Sequence, residues 1–112
     1  MIDASKEAVV FLTGKSKADL LRDRLLSLAL VRLLEIVGEA ASRVSQEKQE
    51  ALPQIHWKQI TGMRNRIAHA YFGIDLDVVW QTVMEDLPLL IIELEKILAN
   101  ESENNTDRQQ YY

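Results

Sequence analysis

The sequence predicts an all-α fold: one domain, an antiparallel helical bundle of four to five helices. Three observations predict it. Apolar residues recur at helical spacing through most of the chain, which gathers them on one face at 3.6 residues per turn. Only four Gly and two Pro occur in 112 residues, too few for the many turns of a β sandwich or barrel. Hydrophobic residues make up 47%, enough for one core in a chain too short for two domains.

Each element follows from local signals. Ile2 to Leu12 form a first helical pattern, with Asp3 and Ser5 as starts and Gly14 as a stop. Ser16 followed by Asp19 resembles a capping box, and the pattern that follows runs without Pro to about Ser45. This predicts one long helix. Its polar stripe holds Arg24, Arg32, Glu35, Gly38, Glu39, Ser42 and Arg43, and most of the remaining circumference is apolar. So wide an apolar face needs several partners. Either the helix is the central rod of the bundle, or part of it is buried against a second copy of the chain.

Gln46 to Pro53 is polar and reads as a connection. A third helix runs from about Gln54 or His56 to Ala70 or Tyr71 and stops before Gly73. Asp75 is the next N-cap. From Leu76 to about Ala99, Val79, Val83, Leu87, Leu90, Leu94 and Ile97 share a face, and Pro88 breaks or kinks the helix near Asp86. One long helix and two short ones both fit. The helical domain then spans residues 1–99. Asn100 to Gln110 contains no apolar residue, so residues 100–112 are expected to be a disordered tail that cannot offset its ordering entropy by burial.

The chain has no cysteine, which excludes a disulfide framework, a thiolate metal site and a thiol nucleophile; with no hydrophobic leader, this fits the cytoplasm. The run Leu25 to Val37 is interrupted by Ser27, Arg32 and Glu35 and is shorter than the roughly 20 apolar residues a membrane span needs. No membrane association is expected. The formal charge is -4, which at first opposes nucleic-acid binding. Its distribution points the other way. The run from Ala51 to Ile74 carries no acid, but holds Lys58, Arg64, Arg66 and both histidines, His56 and His69, a local charge of +3. The rest of the chain carries ten cations against seventeen carboxylates, or -7.

Within that run, Arg64-Asn65-Arg66-Ile67-Ala68-His69-Ala70-Tyr71 is the informative segment. On a helix with Arg64 at the origin, Asn65 falls at about 100°, His69 at about 140°, Tyr71 at about -20° and Lys58 at about 120°. A phosphate fits beside this arc. RNA cleavage without a metal needs a proton acceptor for the 2′-hydroxyl, an acid for the leaving 5′-oxygen and fixed positive charge on the phosphorane. His69 suits a proton-transfer role, its unperturbed pKa of about 6.5 lying near working pH. Arg64 supplies a permanently charged fork for phosphate oxygens, and Asn65 can orient imidazole or phosphate. One chain supplies one His69; a two-fold axis would supply two, so the chemistry calls for a dimer.

Spacing alone leaves other readings open. His69 also fits a capping or partly buried histidine near a helix end, and Tyr71 a ring that packs with its hydroxyl exposed. Trp57, Trp80, Phe72 and Met63 read as core, and His56 as structural. Arg66, at about 200° on the same wheel, faces water or an RNA backbone.

The segment resembles the Arg-x4-His-x-Tyr motif of HepT toxins, members of the HEPN superfamily. The resemblance continues in register through Ser16 to Asp19, Arg32 to Ala40, His56 to Ile60, Phe72 to Asp75, Val79-Trp80 and Asp86 to Pro88. It implies a HEPN-like bundle that forms a homodimer, and a metal-independent endoribonuclease with Arg64, His69 and Asn65 at a composite cleft. Cleavage would use no cofactor, and transfer or messenger RNA would be the substrate. It also implies the toxin role of a type VII toxin-antitoxin pair whose partner is an MNT-type nucleotidyltransferase antitoxin using ATP and Mg²⁺. Tyr71 would be the acceptor of AMP, whose bulk and negative charge oppose substrate phosphates. The competing reading is a non-catalytic helical dimer that binds a nucleotide or a nucleotidyltransferase.

Overall fold

The structure, a computed structural model, describes residues 1–68 and 75–104; of residues 64, 68 and 102–104 it describes the backbone alone. Among the described residues there are seven α-helices and one π-helical turn, and no strand. The all-α prediction holds. The number of helices exceeds the four to five expected, for local reasons that can be traced.

α1 (Ile2–Leu12) buries Ala4, Ser5, Ala8 and Leu12, and the Ser5 hydroxyl donates to the Met1 carbonyl at 2.9 Å. The turn after α1 passes through Gly14, whose φ of 77° lies in the left-handed region that side chains disfavour. α2 (Lys17–Arg22) opens on the predicted capping box: the Asp19 amide donates to the Ser16 hydroxyl at 3.1 Å, and the Ser16 amide to the Asp19 carboxylate at 2.8 Å. The hydrogen bond from the Ser16 backbone amide is the main cause holding the Asp19 carboxyl below its ordinary pKa, joined by hydrogen bonding from the Ser16 side chain.

The single long helix expected next is interrupted at Asp23. This residue leaves helical geometry (φ -99°, ψ 95°) and its carboxylate accepts from the Leu26 amide at 3.0 Å. A short acidic side chain that satisfies a backbone amide three residues on competes with the helix ladder, so Asp23 ends α2 and caps α3 (Arg24–Ser42). The expected connection after residue 45 contains a further helix, α4 (Gln46–Ala51), because Ser45 caps it by accepting from Lys48 at 3.1 Å. It buries no residue. Gln49 ties it to the end of α3 through the carbonyls of Ala41 and Val44.

α5 (Trp57–Ala68) follows, its Trp57 indole N–H donating to the Leu52 carbonyl at 3.0 Å. Asp75 caps α6 (Leu76–Gln81) as predicted, accepting from Val78 at 3.2 Å. A π-helical turn, Thr82–Asp86, joins α6 to α7 (Leu87–Asn104) without a break. Pro88 has no N–H for the carbonyl four residues back, and its ring crowds that carbonyl. The turn before it widens, which absorbs the conflict that the sequence predicts as a break or kink. α7 runs on to Asn104, past the boundary expected near residue 100; residues 105–112 lie outside the described ones.

The core gathers Leu12, Leu20, Leu30, Leu34, Val37, Met63, Ile67, Val79, Val83 and Leu87. Val79, Val83, Leu87 and Leu90 are buried, and Leu94 and Ile97 pack at the edge, as their spacing predicts. Trp57 and Trp80 also pack against the core from partly buried positions. α3 is the central rod, touching α1, α2, α5 and α6. Gly38, expected in its polar stripe, is instead buried where α3 meets α5. A Cβ there would lie 3.2 Å from the Ile60 carbonyl oxygen, so the missing side chain sets how closely α5 lies on the rod. Among the described residues no helix is long and apolar enough to cross a membrane.

The two helical glycines of this layer should respond oppositely to substitution. Gly38→Val overpacks the contact with Ile60 and is expected to lower the unfolding free energy by about 2 kcal/mol. A Cβ at Gly62 in α5 meets nothing within 4 Å, so Gly62→Ala should gain up to about 1 kcal/mol from helix propensity. Urea midpoints of the two variants check both signs.

Candidate active site and the groove beside it

α5 carries the informative segment, and its orientation follows from what it buries. Met63 and Ile67 are buried, and Ile60 and Trp57 pack against the same core. Burial of each large apolar side chain contributes roughly 1.5–3 kcal/mol, so rotating the helix to bring Met63 and Ile67 into water would cost more than a surface interaction returns. The opposite face is therefore held outward. Lys58 and Asn65, at i and i+7 in one row, are both exposed.

Arg64 lies in the last turn but one of α5 by its backbone. His69 and Tyr71 lie outside the described residues, as does Phe72. Among the proposed site residues the structure thus brings Lys58 and Asn65 onto one outward surface of the helix that carries Arg64. Arg66 departs from them. Although exposed, it folds back along α5, and its Nη2 donates to the Gln59 carbonyl at 3.0 Å.

That turn directs Arg66 into a groove between α5 and the π turn with the start of α7. The groove has a volume of about 440 Å³; Val37, Ile55, Ile60, Met63, Leu87 and Leu90 give it an apolar lining, with Leu89 and Ile92 on the α7 side. His56, Gln59, Arg66, Asp86 and Glu93 supply its polar groups. Gln59 is the hub of these. Its carbonyl accepts from Arg66, its side-chain amide donates to Asp86 Oδ2 at 3.1 Å, and its Oε1 lies 3.4 Å from His56 Nδ1.

Burial raises the Asp86 carboxyl above its ordinary pKa; attraction to Arg66 opposes this, repulsion from Glu85 adds to it, and attraction to His56 opposes it. Sequence reasoning missed Gln59 and Asp86. The i, i+7 spacing of Gln59 and Arg66 was a usable signal for one shared row, whereas nothing local links either to Asp86. Among the described residues no three His, Asp or Glu side chains group as metal ligands do.

Comparison with known proteins gives a consistent result. A family model described as Ribonuclease HepT-like matches residues 1–97. The chain is 40% identical over 79 residues to the "Probable ribonuclease HepT" of Thermococcus cleftensis, covering 70% of this chain and 72% of that one. It is 38% identical over 88 residues to a protein named as a candidate RNase in Caldanaerobacter subterraneus subsp. tengcongensis, covering 79% of each. A similarly named protein of Methanocaldococcus jannaschii is 30% identical over 95 residues, covering 85% of this chain and 87% of its own. No solved structure matches.

The raised pKa of Asp86 has a sign that can be measured. A carboxyl that binds its proton more tightly when folded destabilises the fold in its ionised form, and that penalty grows as pH rises from the unfolded pKa through the folded one. Asp86→Asn keeps an acceptor for Gln59 and removes the partly buried charge. Its thermal midpoint should equal or exceed that of the parent at pH 7, and the difference should shift toward the parent's favour as pH falls through the carboxylate range; a scan from pH 3 to 7 checks it.

Proposed function

Because this chain belongs to the HepT-like ribonuclease family, we propose that it is a metal-independent endoribonuclease. In this reading Arg64, His69 and Asn65 act on RNA at a cleft shared by two copies of the chain. The observation that carries it is the placement of Arg64 on a helix whose outward face shows Lys58 and Asn65, inside the run from Ala51 to Ile74, which contains no acid. Phosphate meets cations there and no carboxylate from the same segment.

The chemistry balances without a metal. The 2′-oxygen attacks the adjacent phosphorus, the bond to the 5′-oxygen breaks, and the products are a 2′,3′-cyclic phosphate and a 5′-hydroxyl. One imidazole takes the 2′-proton and another protonates the leaving oxygen, so the two His69 of a dimer share the roles. Arg64 holds the charge that accumulates on phosphorus. A second copy is supported by the apolar residues that one chain leaves uncovered along α2 and α3: Leu25 is 82% exposed, Leu21 60% and Leu28 42%. The partner in this reading is an MNT-type nucleotidyltransferase that uses ATP and Mg²⁺ to place AMP on Tyr71, adding negative charge where RNA must approach.

On total RNA in EDTA, Arg64→Ala and His69→Ala should each cut at least about 100-fold more slowly than the parent; equal cutting by all three would remove the assignment. Leu25→Glu should lower the scattering mass from twice 12.8 kDa and lower cleavage with it. Incubation with the partner, ATP and Mg²⁺ should raise the mass of the parent in steps of one AMP, and Tyr71→Phe should show no such steps; an undiminished shift would place the acceptor elsewhere.

A further inference from the structure

We propose that the groove between α5 and the π turn is a base-recognition subsite that takes guanine from the RNA strand. The proposal rests on the ribonuclease reading and adds to it a second site, on the flank of α5 that Asn65 and Lys58 do not occupy.

Size and lining select the kind of ligand. A volume of about 440 Å³ falls within the range of small-molecule pockets, about 300–1,000 Å³. Ile60, Met63, Leu90 and Ile92 line it, and Ile92 remains 50% exposed and Leu89 66%, so the groove offers apolar surface to a flat ring. The charges exclude two other occupants. A phosphate would face Asp86 and Glu93 as well as Arg66 and His56, a set with no net attraction for an anion. An apolar helix would seal Asp86 and Arg66 from water without new partners, a desolvation cost its contacts do not offset. A planar, uncharged ligand with its own donors and acceptors meets both conditions, and a nucleobase is one.

The pairing of acid and guanidinium then chooses among bases. Asp86 Oδ2 already accepts from Gln59, but a carboxylate has about four lone-pair sites, so two further donors can be received side by side. Guanine alone presents two adjacent donors, N1–H and N2–H. Adenine and cytosine set an acceptor beside their amino group, and uracil flanks its single N–H with two carbonyls. Arg66 commits one of its five donors to the Gln59 carbonyl, and the rest can meet guanine O6 and N7, the pair a guanidinium fork fits. The π turn matters here. It carries Asp86 to the groove facing Gln59, and such turns recur at functional sites. α5 is only about 10–12 Å across with its side chains, so a strand with phosphates on Lys58 can lower a neighbouring base over its edge.

The test uses the full chain and two nucleosides, guanosine and adenosine, followed by ¹H–¹⁵N chemical shifts of the Gln59 side-chain amide and the Ile60 backbone. Guanosine should bind about tenfold more tightly or better, since one bidentate pair discriminates by about that much, and Asp86→Asn should abolish the preference. Equal binding of the two nucleosides by the parent, or a preference that survives in Asp86→Asn, overturns the proposal. Cleavage provides a separate arm. Cut sites mapped through their new 5′-hydroxyl ends should be enriched for guanine at one fixed position near the break, and Asp86→Asn should flatten that enrichment. RNA that is cut with no base enriched overturns the subsite and leaves the ribonuclease standing. A guanosine preference in a chain that cuts no RNA supports the groove and removes the ribonuclease.

Discussion

The contact on which the molecule depends is the approach of α5 to α3 at Gly38. With the Ile60 carbonyl where a Cβ would come within 3.2 Å, α5 lies against the rod closely enough for Met63 and Ile67 to reach the core. Those two side chains fix the rotation of α5, and its rotation decides what the rest of the helix presents. Lys58 and Asn65 face outward for the same reason that Met63 and Ile67 face inward: one helical period, read from opposite sides. The outward chemistry is thus a consequence of packing on the buried side.

Much of this was legible because the signals are local. Ser16 with Asp19, and Asp75 ahead of Leu76, satisfy amides within three residues of themselves, and the sequence spacing alone is sufficient to see it. The apolar row from Val79 to Leu90 was equally plain. Asp23 escapes the pattern for an instructive reason. Its flanks both have helical periodicity, so the pattern runs straight through, and the competition between its carboxylate and the helix ladder is decided by one hydrogen bond that periodicity does not register. Gly38 shows the opposite limit. On the wheel it belongs among polar neighbours, and only the position of another helix's backbone explains why it is buried.

The candidate site divides along the same line. Arg64, Asn65 and Lys58 share a helix, so their relation is fixed by rise and angle and could be laid out from spacing. The route of Arg66 could not. Its guanidinium folds back to Gln59 and is drawn toward Asp86, which stands much later in the chain and on a different element. An exposed arginine read from one helix looks solvated, and its actual surroundings exist only once α5 and the π turn have both been placed.

These two flanks of α5 are mechanically linked, which bears on how a strand would engage the helix. Gln59 bonds at once to Arg66 through its carbonyl and to Asp86 through its amide, so the groove is spanned by a hydrogen-bonded bridge from α5 to the π turn. Those bonds hold α5 next to its contact with Gly38, since Ile60 and Val37 also line the groove, and the helix is restrained there by hydrogen bonds as well as by packing. A rigid support is what proton transfer requires, because a displacement of about 1 Å in a reacting group can cost about 100-fold in rate. A ligand that entered the groove would therefore act on the element that presents Arg64 and Asn65. By exchanging the Gln59 bridge for its own hydrogen bonds it would either preserve that restraint or release it, and base recognition on one flank would be coupled to geometry on the other through the helix they share.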